Sequence, residues 1–417
     1  MTGHTPLFVQ IHALTSFSAS LLNRDDAGFA KRITFGGATR TRISSQCLKR
    51  HWRTFEGEGA LTEIGDLAVR SRITFEREVF RPLIASGVPE PLATAVVKAL
   101  MEQVLGKSDK AKKADEAKQA EEAKPGEEAE TGLRTGQVTV LGRAEVNYLL
   151  EVAKAVCGQR MGIKEVAQGV KEKLGREGQA NLKALAKAAG LDAAMFGRFI
   201  TGDVFARGDG AIHVAHAFTV HEEATESDYF SAVDDLLKET DEAGSGHIGS
   251  AELTTGLYYT HVVVDVPLLV ANLEGCAQNA WLKADRALAS EVVRRLVQLV
   301  ARVSPGAKQG STAPYSFASM VMVEAGQGQP CSLANAFLKP VNPRPDLLGN
   351  TYQALNRHLV QLDHMYPANI PKRQVLGMGG IELLASIPGL GSEEAGLPGI
   401  ANWAAKQILG FQGEGKA

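Results

Sequence analysis

The most restrictive feature of this sequence is a helical middle segment enclosed by two segments with the character of β-strands. Between residues 59 and 197 apolar side chains recur mainly at three- and four-residue spacings, which predict amphipathic helices. Before and after this segment, short apolar runs are separated by glycines and predict strands. We therefore expect an α+β fold with a discontinuous core, in which the helical segment is an insertion.

The middle segment itself divides around a stretch without large apolar residues. Predicted helices span residues 94–105, 143–156, 164–174 and 180–189. Residues 107–130 lie between the first two, and their composition cannot bury a core. We predict a solvated helix or a disordered insert there, with disorder around Pro125 and Gly126.

The segments at both ends of the chain supply the predicted strands. These strands are residues 7–14, 211–221, 257–264 and 317–324, and further helices are predicted at 285–303, 350–362 and 399–409. Residues 15–32 have the composition of a long loop. Residues 222–256 form a connection of about 35 residues, which is long for a simple hairpin. We expect this connection to project from the core as an arm.

Positive charge is concentrated in residues 21–55, which we call the basic segment. It holds eight Lys and Arg residues against the two carboxylates Asp25 and Asp26, whereas the whole chain has a net charge of −2. The cationic residues are Arg24, Lys31, Arg32, Arg40, Arg42, Lys49, Arg50 and Arg53. Such a local excess favours a polyanion as partner.

The basic segment also has clear local structure signals. Gly36 and Gly37 predict a tight turn, after which Arg40 and Arg42 share one face if the chain is extended. Ser44 and Ser45 are N-cap candidates for a helix whose apolar face contains Cys47, Leu48, His51, Trp52 and Phe55. Lys49 and Arg53 are then one helical turn apart and can meet successive phosphates. The alternative is an ordinary solvated helix face.

Composition and motifs exclude several other classes. With 44% hydrophobic and 22% charged residues, the chain resembles a globular protein, and no run approaches the roughly 20 apolar residues of a membrane span. The start of the chain lacks the pattern of a secretory signal, so we expect a cytoplasmic protein without a membrane partner. The four cysteines are far apart and form no CxxC pair, which argues against a zinc ribbon or a disulfide framework.

No catalytic constellation is present in the sequence. GxSxG, P-loop and HExxH motifs are missing, and His213, His216 and His221 do not have the spacing of a metal triad. We therefore predict neither a metal nor a cofactor. The best enzymatic candidate is the pair Asp25 and Asp26, which can bind a divalent cation or act as a base. The alternatives are loop solvation or an ion pair with an arginine.

Several long stretches resemble one known family. They are SLLNRDDAGFAKRITFGGATRTRISSQCLKRHWR, GRFITGDVFARGDGAIHVAHAFTVH, DYFSAVDDL, GSGHIGSAELTTGLYY, PGAKQGSTAPYSFASMVMV and SLANAF. Together they resemble the CasC family of backbone subunits of the type I-E CRISPR surveillance complex, Cascade. The likeness runs in one order to about Phe337. Residues 59–179 and the tail after Lys339 match poorly.

The resemblance implies a ferredoxin-like, RRM-related palm with a helical finger insertion and a long β-hairpin thumb. It divides the chain into residues 1–58 (palm, first part, with the basic helix), 59–197 (fingers), 198–221 (palm strands), 222–256 (thumb) and 257–417 (palm, second part). The implied function is non-catalytic. Copies of the protein stack head to tail along CRISPR RNA, beside other Cascade subunits, and present the guide for pairing with target DNA.

The resemblance also implies roles for individual residues. Those implied to hold the guide RNA are Arg24, Arg40, Arg42, Ser44, Gln46, Lys49, Arg50, Arg53, Phe199, Lys308 and Gln309, with Phe199 stacking on a base. Tyr229, Phe230 and Val233 would lie on the thumb and displace a nucleotide. Related backbone subunits of type III complexes cleave target RNA with an acidic loop residue. A metal-dependent ribonuclease using Asp25 or Asp26 is therefore the alternative, and a small-molecule enzyme is a third option.

Overall fold

The chain forms two compact units, each built from separate stretches of sequence. A computed structural model describes residues 5–105, 132–158, 162–163, 165–185, 190–198, 208–233, 245–306, 309–385, 387 and 396–410. The first unit comprises Met1–Glu63, Ile212–Val266 and Arg286–Ala417, and the second comprises Ile64–Ala211 and Pro267–Asp285. The predicted insert at residues 107–130 lies outside the described residues.

The longest described strands are β1 with 13 residues and β9 with 21. The strands are β1 (Phe8–Ser20), β2 (Arg32–Phe35), β3 (Ala38–Ile43), β4 (Val69–Ser71), β5 (Thr139–Leu141), β6 (Ile212–Val214), β7 (Ala217–Thr219), β8 (Thr225–Val233), β9 (Ser245–Asp265), β10 (Ala318–Gly326) and β11 (Lys372–Gly377).

Both units also contain helices. They are α1 (Ser45–Arg53), α2 (Arg81–Ala85), α3 (Glu90–Leu105), α4 (Arg143–Cys157), α5 (Val166–Lys173), α6 (Arg176–Leu185), α7 (Leu191–Phe196), α8 (Val266–Glu274), α9 (Ala287–Arg302), α10 (Gln309–Thr312), α11 (Leu347–Met365) and α12 (Gly396–Leu409). Short 3-10 turns lie at Leu61–Glu63, Gln278–Lys283, Leu333–Phe337, Pro367–Asn369 and Ile381–Leu384, and a π-turn at Glu76–Phe80 leads into α2.

The first unit is organised around one antiparallel sheet. Its described strands number nine, in the order β11-β10-β1-β9-β7-β3-β2, with β6 and β8 also paired to β9. β1 lies in the middle, where Ile11 is opposite Val262 of β9 and Val323 of β10. Almost every residue in its first half is buried, which is typical of a strand covered on both faces.

Helices cover both faces of this sheet. On one face Leu48 and Trp52 of α1 and Val300 of α9 surround a small cavity of about 20 Å³ whose floor includes Thr15 and Tyr258. On the opposite face a hydrophobic core joins sheet residues to the turn Leu333–Phe337 and to α11. This core includes Leu14, Tyr259, Met320, Met322, Phe337, Tyr352, Leu355 and Leu359. The first unit is therefore a three-layer arrangement, and the expected mixed α and β architecture is confirmed.

Two strand predictions needed correction. The strand predicted at residues 7–14 is confirmed but extends to Ser20, which pairs with Thr254, so the first part of the predicted loop at residues 15–32 is strand. The strand predicted at 211–221 is divided, because β6 and β7 pair with β9 in registers that differ by one residue: Val214 lies opposite Val262, and Phe218 opposite Tyr259. An extra residue between two strand pairs interrupts the strand.

The connection at residues 222–256 folds as a long hairpin in its described part. β8 pairs antiparallel with the first half of β9, from Thr225 opposite Thr254 to Val233 opposite Ser245. Because β9 then continues into the centre of the sheet, the hairpin is a direct extension of the core. Residues 234–244 lie outside the description.

The second unit is mainly helical. Its core is made from α3, α4, α5 and α6 together with the π-turn, and includes Phe75, Val97, Leu100, Leu149, Val170 and Leu182. The four predicted helices of the middle segment are present as α3, α4, α5 and α6, and residues 186–189 of the last prediction lie outside the described residues. Glu145 accepts a hydrogen bond from the Gly142 N–H at the start of α4 (2.7 Å) and forms a buried ion pair with Arg198 (2.7 Å). The second unit also includes residues 267–285, which the predicted boundaries assigned to the palm.

A buried polar network joins four elements of the first unit, namely β1, β10, β11 and α11. Arg373 of β11 donates to Glu324 of β10 (2.6 Å) and forms a paired contact with Asp363 of α11. Gln10 and His12 of β1 also contact Glu324, at 3.0 and 3.2 Å. Burial alone would raise the pKa of Glu324, but His12 and Arg373 outweigh it and lower the pKa to about 2. The carboxylate is therefore ionised when the protein is folded at neutral pH.

Candidate nucleic-acid interface

A tight turn forms the first part of the basic segment. Gly36 and Gly37 have φ of 61° and 79°, and the pair Phe35 and Ala38 closes a two-residue hairpin between β2 and β3. Positive φ at both central positions matches the type I′ turn, which favours glycine. Gly36 is further constrained because a Cβ there would lie 1.6 Å from the Leu338 carbonyl oxygen. The predicted turn is confirmed.

Helix α1 begins at Ser45, as predicted from the N-cap candidates Ser44 and Ser45. The Ser44 hydroxyl accepts a hydrogen bond from the Cys47 N–H (3.3 Å), and the Ser44 N–H donates to Asn23 (2.9 Å). Ser44 is therefore an N-cap, so its side chain is already engaged in holding the helix. Leu48 and Trp52 are buried as expected.

The opposite side of α1 carries its positive charge. Arg50 and Gln46 are exposed, and Lys49 and Arg53 are half-buried. Long basic side chains of this kind can bury their stems and keep their charged ends in water. Since Lys49 and Arg53 are four residues apart in an observed helix, they lie one turn apart along the same side.

Arg40 does not lie on this surface. Its side chain is 0% exposed, and its guanidinium donates to the carbonyl oxygens of Thr219 (2.9 Å), His221 (3.3 Å) and Phe337 (2.9 Å). Burial lowers the pKa of Arg40, opposed by the charge of Glu222. The placement contradicts the expectation that Arg40 holds a backbone phosphate, because the side chain is buried and both of its terminal nitrogens donate to backbone carbonyls inside the protein. We therefore leave Arg40 out of the candidate interface.

Arg42 lies closer to solvent than Arg40. It is half-buried, donates from Nε to the Arg32 carbonyl (3.0 Å) and approaches Nδ1 of His216 (3.0 Å). The pKa of His216 is lowered, first by burial and then by the charges of Arg42 and Lys31. The lowered pKa favours the neutral form of His216, whose Nδ1 can then accept a hydrogen bond from the Arg42 guanidinium.

The loop before β2 presents Arg24, Asp25 and Asp26 to solvent. The Asp25 carboxylate accepts a hydrogen bond from the Phe29 N–H (2.9 Å), and the Asp25 N–H donates to the Phe29 carbonyl (2.8 Å). Asp25 therefore shapes a turn, as short polar side chains often do. Among the described residues no ion pair involves either aspartate, and no group of three or more potential metal ligands is present.

Arg32 connects the basic segment to the base of the long hairpin. It forms ion pairs with Glu223 (2.5 Å) and Glu252, and Glu252 also accepts from the Ala30 N–H (2.7 Å). These contacts fix the loop and β2 against β9. Sequence reasoning missed this link, since the partners lie about 190 to 220 residues apart and no local pattern signals it.

His51 connects α1 to the loop that follows α9. Its Nδ1–H donates to the Cys47 carbonyl (2.8 Å), and its Nε2 accepts from the Gly306 N–H (3.1 Å). Gly306, which precedes the predicted guide contacts Lys308 and Gln309 in the sequence, is thereby held against α1. Lys308 is outside the described residues, and Gln309 is the first residue of α10.

The predicted thumb residues lie on β8 of the hairpin. Tyr229 is 66% exposed and Phe230 is 42% exposed. Phe230 lies opposite Gly249, where a Cβ would approach its ring to 2.5 Å. The glycine thus leaves room for the aromatic ring across the strand pair. Val233 ends β8, its side chain is not described, and Phe199 lies outside the described residues.

Among the described helices, none combines the length and apolar character needed to cross a membrane.

The fold is similar to that of chains in CRISPR RNA-guided surveillance complexes. One solved chain, from a CRISPR RNA-guided surveillance complex in a pre-nicking state, is 25% identical with a TM-score of 0.70, and the match covers 95% of this chain and 99% of that chain. A second, from a CRISPR RNA-guided surveillance complex, is 21% identical with a TM-score of 0.63 and the same coverage; it supports the fold alone.

The family follows from the sequence match. Residues 9–386 match the family of CT1975-like proteins, and since they make up most of the chain, the protein belongs to this family. No curated protein matches the sequence.

Proposed function

We propose that this protein is a non-catalytic, CRISPR RNA-binding backbone subunit of a Cascade complex of type I-E, in the CasC group. The observation that carries the proposal is the match over 95% of the chain to a subunit of a CRISPR RNA-guided surveillance complex at 25% identity. The partners we propose are CRISPR RNA, further copies of the same chain, other Cascade subunits and, through base pairing, target DNA.

The geometry of the basic segment supports binding of a nucleic-acid backbone. α1 presents Lys49, Arg50 and Arg53 from one side, while Leu48 and Trp52 fix the other side against the sheet. Phosphate contacts position a strand without reading its sequence. That property suits a subunit that carries any guide, because base pairing then selects the target.

The sheet order supports the proposed ferredoxin-like palm. β10, β1, β9 and β7 are neighbours in that order, α1 lies between β1 and β7 in sequence, and α9 lies between β9 and β10. Both helices contribute to the same face of the sheet. A ferredoxin-like βαββαβ unit has this arrangement. In this interpretation β8 and the first half of β9 form the thumb, and the helical second unit corresponds to the fingers.

Guide retention tests the proposal against a small-molecule enzyme. The purified chain, mixed with its CRISPR RNA, is expected to retain the RNA at moderate salt and to release it as salt rises. Retention is measured by co-elution in size-exclusion chromatography over a salt series. An enzyme acting on a small molecule predicts no RNA retention at moderate salt.

The exposed pair Asp25 and Asp26 supports one alternative, a metal-dependent ribonuclease. As a scaffold, the assembled complex is expected to leave complementary target RNA intact in the presence of Mg²⁺, as measured on a denaturing gel. Periodic cuts in the wild-type complex that disappear in the Asp25→Asn, Asp26→Asn variant would establish the ribonuclease instead. Asparagine is the matched replacement, since its oxygen at position 25 can still accept from the Phe29 N–H.

A further inference from the structure

Two exposed aromatic side chains lie just before β10. Tyr315 is 73% exposed and Phe317 is 66% exposed, whereas Pro314 is buried and Ser316 is half-buried. This alternation is that of extended chain, in which residues two apart point to the same side. Tyr315 and Phe317 therefore face solvent together.

The backbone holds this pair in a fixed position. The Tyr315 N–H donates to the Ala313 carbonyl (2.7 Å) across Pro314, and Ala313 has a φ of 40°, which is uncommon for a residue other than glycine. Ser304 and Ser316 exchange two hydrogen bonds of 3.0 Å, since the Ser304 hydroxyl accepts from the Ser316 N–H and donates to its carbonyl. The backbone is strained at Ala313 and held in place at Ser316, yet it exposes two aromatic rings to water. Such an arrangement points to a binding role for the rings.

The pair lies next to the basic segment. Ser316 and Trp52 of α1 line the same small cavity, and Gly306, two residues after Ser304, donates to His51 of α1. Arg302 is exposed, with its guanidinium carbon 6.0 Å from the centre of the Phe317 ring. Aromatic rings beside cationic side chains are the combination that binds single-stranded nucleic acid.

We propose that Tyr315 and Phe317 form a stacking platform for bases of single-stranded RNA, with Arg302 at its edge. The inference rests on the proposed RNA-binding function and adds a site to it. The positive charge of Arg302 beside the Phe317 ring favours an RNA strand over an apolar protein surface as the occupant. Stacking is tolerant of sequence because every base has an aromatic face, so the platform is compatible with any guide.

The test compares two strands and three proteins in a binding assay. The probes are fluorescein-labelled oligoadenylate and a strand of equal length with abasic nucleotides, which keeps the phosphates but removes the bases. The proteins are the full-length wild type, the double variant Tyr315→Ala, Phe317→Ala, and a control, Met365→Ala, Tyr366→Ala. The control removes two exposed side chains at the end of α11, on the other face of the sheet.

The platform predicts a loss that depends on bases. The Tyr315→Ala, Phe317→Ala variant is expected to bind oligoadenylate about tenfold or more weakly at every salt concentration, with the salt slope unchanged. On the abasic strand the variant and the wild type are expected to bind equally, and the control to bind both strands like the wild type.

Three results would overturn the inference. Equal binding of oligoadenylate by the variant and the wild type would show that Tyr315 and Phe317 do not stack on bases, and it would leave the proposed function intact. An equal loss on both strands would assign the pair to something other than stacking. Normal RNA binding with failure to assemble with further copies would identify a protein contact. If the wild type binds neither strand, the proposed function itself fails. Circular dichroism of each variant establishes that it is folded.

Discussion

Replacing Lys49 and Arg53 with alanine is expected to weaken binding of guide RNA by about tenfold or more at low salt and to reduce its salt dependence. The two side chains lie one turn apart on α1, so each can neutralise a phosphate of the same strand. For single strands, log K falls as log salt rises, and each phosphate contact contributes about −0.7 to that slope. Losing two contacts therefore makes the slope shallower by about 1.4. Fluorescence anisotropy over a salt series measures both quantities.

A matched control removes the same charge elsewhere. Arg357 on α11 and Lys372 on β11 are exposed, and β11 is at the edge of the sheet opposite to β2. The variant Arg357→Ala, Lys372→Ala is expected to keep the wild-type slope and affinity. An equal loss in both double variants would show that only net charge matters, and an unchanged slope in the α1 variant would remove α1 from the interface.

Replacing Arg40 with alanine is expected to lower the free energy of unfolding by about 3 kcal/mol or more. The change leaves the carbonyl groups of Thr219, His221 and Phe337 without the donors that they have in the wild type. It also leaves a cavity where a fully buried side chain had been. Urea denaturation followed by circular dichroism measures the loss.

Two comparison variants separate a structural role from phosphate binding. Arg40→Lys keeps the charge but lacks the planar guanidinium that reaches several carbonyls, so we expect it to be destabilised as well. Arg42→Ala, two residues further along β3, removes a half-buried side chain and is expected to cost about 1 kcal/mol or less. If Arg40→Ala were as stable as the wild type but bound RNA more weakly, Arg40 would instead belong to the RNA interface.

The parts of the fold that sequence predicted are those with local causes. The Gly36 and Gly37 turn depends on backbone freedom at two adjacent positions, and the start of α1 depends on a serine three residues before the N–H that it caps. The apolar spacing of Leu48 and Trp52 likewise identifies the buried side of α1. Each signal lies within a few residues of the structure that it specifies.

The parts that sequence missed depend on distant partners. Arg40 and Arg42 share a spacing that predicts one face, but Arg40 is buried because carbonyls 179, 181 and 297 residues away meet its guanidinium. No local pattern contains that information. Sequence reasoning did not single out Tyr315 and Phe317. No local pattern distinguishes these two aromatic residues from buried ones, whereas in the structure their side chains are 73% and 66% exposed.

The domain boundaries had the same limitation. The family resemblance assigned residues 267–285 to the palm, as part of residues 257–417. In the structure they belong to the helical unit, where Asn272 donates to the carbonyls of Ala194 (3.0 Å) and Asp209 (2.9 Å). A segment can join a unit formed by residues far earlier in the chain, and hydrophobic periodicity does not indicate which unit it joins.

The proposed function requires that copies of this chain assemble along a guide RNA. A head-to-tail contact between identical subunits that does not close into a ring produces a helical filament, and in the proposed complex the RNA limits the length of that filament. Sedimentation velocity of the purified chain, alone and with CRISPR RNAs of two lengths, tests this directly. We expect a small species without RNA and complexes whose mass rises by whole subunits as the guide is lengthened. One subunit per RNA at either length, or oligomers of the same size with and without RNA, would contradict the claim.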